Sequence, residues 1–228
     1  MFNKIKIYKN VILGKNVKIH PFVVIFPNVV IEDDVEIFSG SVIGRLPKGA
    51  NAISRKNITN VYKKVLIGKG SVVSPNAIIY TDVLIGKGTL IGDGASIREQ
   101  VRIGDNCIIS RCVTINYNTT IGDNTKIMDN SHITGNMKIG NNVFISCLVS
   151  TVNDNYLGKI NFEEDFIKGA IIEDDVSIGA GAIILPNIVI GKSSIIGAGS
   201  IVNQNVPPSK LYVGIPSKYI INTKWKHF

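Results

Sequence analysis

The sequence predicts an all-β chain, a parallel β-helix of short strands wound around a column of aliphatic side chains. Three observations carry this expectation. Aliphatic residues recur every sixth position: from Ile67 the count runs through Val73, Ile79, Ile85, Ile91, Ile97, Ile103, Ile109, Ile115, Ile121, Ile127, Ile133, Ile139 and Ile145. An amphipathic helix needs a period of about 3.6 and a half-buried strand alternates by two, so a step of six fits neither. A second, smaller residue follows four places after each, as at Ser71, Ala77, Val83, Thr89, Ala95, Val101, Cys107 and Val113. Between the two inward positions lie triplets such as "GKN", "EDD", "GKG", "GDG", "GDN" and "GNN". Gly and Asn there make a left-handed backbone cheap, which is what a sharp corner needs. Strands broken by such corners close a triangle of three hexads, about 18 residues per coil, each coil pairing with those above and below.

Taken in order, the same phase begins at Ile7 and continues through Leu13, Ile19, Ile25, Ile31, Ile37 and Ile43. After Gly44 it breaks at "RLPKGANAISRKNITNVYKK", a basic segment without aliphatic register, before resuming at Ile67. After Val149 it breaks again at "STVNDNYLGKINFEEDFIKGA". A new phase then runs through Ile172, Ile178, Ile184, Ile190, Ile196 and Val202. Long loops in so economical a repeat are functional or disordered. Beyond Val206 the repeat ends, and "PPSKLYVGIPSKYIINTKWKHF" predicts an extended return strand with a short cap over the open end of the stack. The expected organisation is one domain: a β-helix over 1–206 with loops at about 45–64 and 150–170, and a capping segment over 207–228.

Bulk properties narrow the function classes. The chain has 228 residues, 45% hydrophobic and 18% charged, as a folded chain does. No apolar run approaches the roughly 20 residues that span a bilayer, and "MFNKIKIYKN" has no secretory pattern, so the expected location is the cytoplasm. Cys107, Cys112 and Cys147 are odd in number and lack metal-ligand spacing, which suits a reducing compartment. A net charge of +8 points to anionic partners. No basic, aromatic-interleaved motif argues for nucleic acid, so phosphorylated small molecules are the expected ones.

These hexads resemble the left-handed β-helix of the hexapeptide-repeat acyltransferases over nearly the whole chain. Left-handed winding is what the resemblance implies; a parallel crossover read from sequence alone would be right-handed. The resemblance also implies a homotrimer with sites between subunits, and acyl-CoA as co-substrate, acetyl-CoA by default. The C-terminal third, "IIEDDVSIGAGAIILPNIVIGKSSIIGAGSIVNQNVPPSKLYVGIPSKYI", is similar to the end of the family's sugar acyltransferases. By that likeness the pantetheine arm follows a groove beside the last coils, touching Gly179-Ala180 and Gly197-Ala198. Lys192, Lys210 and Lys218 then offer charge to the nucleotide phosphates, although each lysine also suits a solvated face.

The middle, "IREQVRIGDNCIISRCVTINYNTTIGDNTKIMDNSHITGNMKIG", resembles two branches of the family. One is the acyltransferase of lipid A synthesis, which acylates a hydroxyl of a UDP-amino sugar. It carries an "NAHIAHD" segment whose second histidine is the base. Aligned on Ile133, that position is Gly135 here, and His132 matches the first histidine. The other branch is the nucleotide-sugar N-acyltransferases, which acylate an amine on a UDP- or dTDP-linked deoxy sugar and need no histidine base. The chemistry explains the difference: a hydroxyl must lose its proton in or before attack, whereas a neutral amine attacks first and sheds its proton afterwards. The thioester oxygen still needs a donor, such as a backbone N–H at a glycine-rich corner.

The resemblance implies an N-acyltransferase acting on a nucleotide-linked amino sugar in surface-glycan synthesis. Asp129 is expected to hold the amine, and His132, outward on its strand, to position substrate or assist proton transfer. Asn130 and Asn136 flank it as further substrate contacts. Asn116, Tyr117 and Asn118, taken as one coil earlier, read sugar hydroxyls, unless they are only corner residues. Asn153 and Asp154 match a loop that reaches a neighbouring subunit's substrate. Arg45, Lys48, Arg55, Lys56, Lys63 and Lys64 suffice to neutralise a nucleotide diphosphate, or form a plain basic loop. No metal is expected, because the family's zinc enzymes cluster their histidines and His20 and His227 lie far from His132 in coil order. The competing readings are O-acylation of a sugar hydroxyl and a non-catalytic β-helix used for assembly.

Overall fold

The computed structural model describes residues 4–49, 58–159 and 166–222 and contains no α-helix among them. Strands of two to five residues stack into three sheets, and every third strand in sequence joins the same sheet. The first sheet has ten strands, from Lys6–Ile7 through Val42–Arg45, Thr114–Ile115 and His132–Ile133 to Ile201–Val202. The second has nine, from Ile12–Leu13 to Val189–Ile190. The third has eleven and runs from Lys18–Ile19 through Ile195–Ile196 into Lys210–Val213 and Lys218–Asn222. All pairings are parallel except the last, an antiparallel hairpin that closes the C-terminal end. The fold is that of a β-helix of hexapeptide repeats, consistent with the left-handed form.

The hexad explains why the coil closes. Each strand points one residue out and the next, aliphatic one in, so the inward residues from Ile25 to Val202 form one column with almost no exposure. The second inward position is often polar, and each such group is satisfied. Ser71, Thr89 and Thr125 donate to the carbonyls of Gly86, Gly104 and Gly140 at 2.8, 3.0 and 2.8 Å. Corners take left-handed backbone at Asn10, Asn16, Asn76, Asn106, Asn124 and Asn142, as their composition predicts.

One expectation about the column needs correction. Ile7 and Leu13 follow the inward phase yet are 45% and 43% exposed. They belong to the first of the described coils, and no described coil lies beneath it to cover them. The two excursions fall where the phase breaks, between Arg45 and Val65 and between Thr151 and Ile171.

Candidate active site

Three edges join the three sheets, and the edge a residue lands on decides what it can meet. The edge from the third sheet to the first carries a continuous column. Asn130 donates its N–H to Arg111, Leu148 to Asp129, Gly181 to Cys147 and Gly199 to Ala180, at 2.8 to 3.0 Å. Asp129 therefore lies on the same edge as Gly179-Ala180 and Gly197-Ala198, directly below them. This brings the expected acceptor residue and the expected donor corners onto one line.

Asp129 is already engaged. Its carboxylate accepts from the Arg111 guanidinium and the Ser110 hydroxyl, and from the Arg111 backbone N–H at 3.1 Å. The Arg111 hydrogen bond, followed by that of Ser110, holds its pKa down at about 2. Asp129 is thus a fixed anion that anchors the corner and orders Arg111.

His132 begins the His132–Ile133 strand of the first sheet, side chain outward and half-buried. Thr114 is its register partner one coil below, and the Thr114 Oγ1 lies 2.7 Å from Nδ1. No described hydrogen bond reaches Nε2. Burial lowers the His132 pKa below its ordinary 6.5, so the ring is neutral at pH 7. In the tautomer whose Nδ1–H donates to Thr114 Oγ1, the neutral imidazole can accept a proton at Nε2. Thr114 was missing from the expected site, although its spacing of one coil from His132 is the signal that would have found it.

The edge from the first sheet to the second gathers a different group. Asn116, Tyr117 and Asn118 lie here, not beneath Asp129: 12 residues is two-thirds of a coil, and the corner of Asn118 stacks under Asn136. Asn118 Nδ2 donates to Asn136 Oδ1 at 2.9 Å. Asn136 Nδ2 donates to the Ile167 carbonyl at 2.9 Å, and Asn153 Nδ2 to that of Gly135 at 3.2 Å. These amides tie the second excursion to the edge. Asp154 accepts from the N–H groups of Tyr156 and Gly158, at 2.7 and 2.8 Å, and closes its own turn. Asn116 and Asn130 donate no described side-chain hydrogen bond.

The Tyr117 ring fills the space over Gly135. A Cβ at 135 would meet two ring carbons at 3.0 Å and the Tyr117 carbonyl at 3.1 Å. A side chain at 135 would have to push that ring aside by a few tenths of an ångström.

The donor corners divide into packed and open positions. The lack of a side chain at Gly179 and Gly197 makes room for protein, since a Cβ would lie 2.4 Å from the Ala198 nitrogen and 2.5 Å from Val213 Cγ1 respectively. The open positions are Gly181 and Gly199, with φ of +68° and +66° and nothing near an added Cβ. Beside them Ala180 and Ala198 are exposed residues whose N–H groups donate to no described partner. Lys192 sits on the remaining edge, its Nζ 3.5 Å from Asp175. Lys210 lies in the closing hairpin, its ammonium 5.4 Å above the Tyr219 ring and bonded to Asn222. Lys218 is in the same hairpin. Arg55, Lys56 and His227 fall outside the described residues. His20 pairs with Glu36 at 2.8 Å, many coils below His132. Among the described residues no three His, Cys, Asp or Glu side chains gather to hold a metal ion.

Four stretches, 10–45, 82–117, 118–149 and 169–204, match the family model described as bacterial transferase hexapeptide (six repeats), together more than half of the chain. The chain belongs to the bacterial transferase hexapeptide family. Over 50 residues, 22% of its length, this hexapeptide protein is 52% identical to the 2,3,4,5-tetrahydropyridine-2,6-dicarboxylate N-acetyltransferase of Staphylococcus aureus. Such matches span only 21% to 24% of the length of the curated relatives. Its fold is similar to that of the UDP-N-acetylglucosamine acyltransferase of Arabidopsis, with a TM-score of 0.73 and 19% identity, covering 96% of this chain and 72% of that one. The UDP-N-acetylglucosamine acyltransferase of Campylobacter jejuni is similar at TM-score 0.61 and 19% identity, covering 95% and 75%. At that identity the likeness is one of fold.

Proposed function

We propose that this hexapeptide protein is a cytoplasmic, homotrimeric N-acyltransferase. It moves an acyl group, acetyl by default, from acyl-CoA to the amine of a UDP- or dTDP-linked amino-deoxy sugar used in surface glycans. The observation that carries the reading is the pair Gly135 and Tyr117. Glycine stands where the resemblance implies a hydroxyl-activating histidine, with the Tyr117 ring 3.0 Å from where a Cβ would lie, while burial lowers the pKa of His132 nearby.

In this reading the pantetheine arm follows the edge at Ala180-Gly181 and Ala198-Gly199, where free N–H groups and bare backbone allow close approach. One of those N–H groups donates to the thioester oxygen as negative charge develops there. The amine nitrogen forms the new C–N bond, the C–S bond breaks, and coenzyme A leaves as thiolate. The proton shed by nitrogen passes to Nε2 of His132 and on to the thiolate. Thr114 holds the ring through Nδ1, Asp129 fixes Arg111 at the corner below, and Asn116 and Asn130 present free amides to the sugar.

The test is thiol release from acetyl-CoA with UDP- and dTDP-linked sugars bearing an amine or only hydroxyls. Release with amine acceptors alone is expected, and His132→Ala should lower kcat by about 10- to 1,000-fold. Release with hydroxyl acceptors alone would replace the reading by O-acylation, and silence across the panel by a non-catalytic role.

A further inference from the structure

Far from His132, the first excursion builds a cavity at the base of the first sheet. It is lined by Phe26, Val42, Arg45, Lys48, Asn60 and Tyr62, and its open volume is about 600 Å³. The walls are fixed to the coils. Asn28 Nδ2 donates to the Tyr62 carbonyl at 2.8 Å, and the Lys63 N–H donates to Thr81 Oγ1 at 2.7 Å.

Two features bear on what this cavity could hold. Its lining is partly aromatic: Tyr62 stacks on Phe26 at 5.8 Å and 18°, and Phe26 in turn on Tyr8 at 5.1 Å and 7°, which leaves Tyr62 at the end of the stack. Its rim carries charge that the protein leaves uncompensated. Elsewhere among the described residues some cations pair with carboxylates, as Lys63, Arg98, Arg102 and Arg111 do, while others such as Lys87, Lys126 and Lys138 do not. Among the described residues Arg45 and Lys48 pair with none. The Arg45 guanidinium instead lies 4.8 Å from the Tyr80 ring, which Arg98 also approaches at 4.8 Å. The outer face of Tyr62 favours a flat ring, and two cations without carboxylate partners favour phosphate. An acyl chain would leave both cations unpaired, and a bare phosphate would leave the Tyr62 ring unused.

We propose that this cavity is a nucleotide-binding site, with the base against Tyr62 and the phosphates on Arg45 and Lys48. Its volume lies within the usual range of small-ligand sites, about 300–1,000 Å³. From the Val42–Arg45 strand to the His132–Ile133 strand the first sheet rises four steps, each roughly 4.8 Å. The cavity is therefore separate from the acyl-transfer site, and its occupancy does not depend on the proposed acceptor.

Isothermal titration of the whole protein with UDP and dTDP tests this, with uridine and pyrophosphate as partial ligands. The Arg45→Gln/Lys48→Gln variant changes exposed or half-exposed charges and should melt like the parent. It should lose one class of UDP sites, or bind at least tenfold more weakly where a single class is seen. Tyr62→Leu should weaken UDP and leave pyrophosphate unchanged. Unaltered UDP binding in the double variant, pyrophosphate binding as tight as UDP, or no nucleotide binding by the parent would each overturn the proposal. The amine-dependent thiol release tests acyl transfer independently.

Discussion

At the residue scale, steric crowding over Gly135 and the two ionisable groups beside it make the sharpest predictions. Gly135→His should not restore hydroxyl acylation. The new side chain must displace the Tyr117 ring, an overpacking that costs about 1–3 kcal/mol, readable as a lower Tm and relieved by adding Tyr117→Ala. The ionisable groups give opposite chemistry with the same sign. Burial lowers the His132 pKa, so its contribution to stability is complete above 6.5 and declines as pH falls through the lower folded value. Where His132 accepts the proton, the acid limb of kcat/KM should lie below pH 6.5 and vanish in His132→Gln. Asp129, held at about 2 against an ordinary 3.8, contributes fully above 3.8 and loses its contribution as pH falls toward 2. Asp129→Asn should flatten the stability curve in that window. His132 and Gly135 were legible in the sequence through their motif. The engagement of Asp129 was not, because Ser110 and Arg111 reach it from a coil below.

At the scale of the element, a two-residue strand has little stability of its own and depends on its neighbours in the stack. Ile115 is fully buried between coils, so Ile115→Ala should cost about 2–5 kcal/mol. Ile7 has the same place in its hexad but lies on the uncovered coil, so Ile7→Ala should change stability by about 0.5 kcal/mol or less. Denaturant midpoints compare the two. The buried hydroxyls repeat the lesson in polar form. Thr125 donates to Gly140 O at 2.8 Å and accepts from the Val143 N–H at 3.1 Å. Thr125→Val would leave both backbone groups unpaired, at about 1–3 kcal/mol each. Strand positions and corners were readable because each is set within one hexad. The exposure of Ile7 was not, since it depends on what lies beneath.

At the scale of the whole molecule, the stack behaves as a one-dimensional array in which each coil contacts only its neighbours. Paired residues lie 18 apart, as Leu84 with Arg102 and Thr114 with His132. Removing residues 83–100, one whole coil, should leave every later strand on its own sheet and preserve cooperative unfolding by circular dichroism. Removing only residues 83–88, one hexad, should rotate everything beyond it by one sheet. His132 would then leave the first sheet while the first excursion stayed behind, so acyl transfer should be lost even where the coil still forms.

The sequence by itself determined the hexad, its corners, the two excursions and the end of the repeat, because each is a local matter of side-chain size and backbone preference. Only the tertiary structure decided which polar residues share an edge. Each hexad turns the chain to the next face, so residues 12 apart part company while those a full coil apart meet. That rule sent Asn116, Tyr117 and Asn118 to one edge and Asp129 to another. It also set Ala180 and Ala198 above Asp129, Thr114 under His132, and Lys192 on the edge away from both.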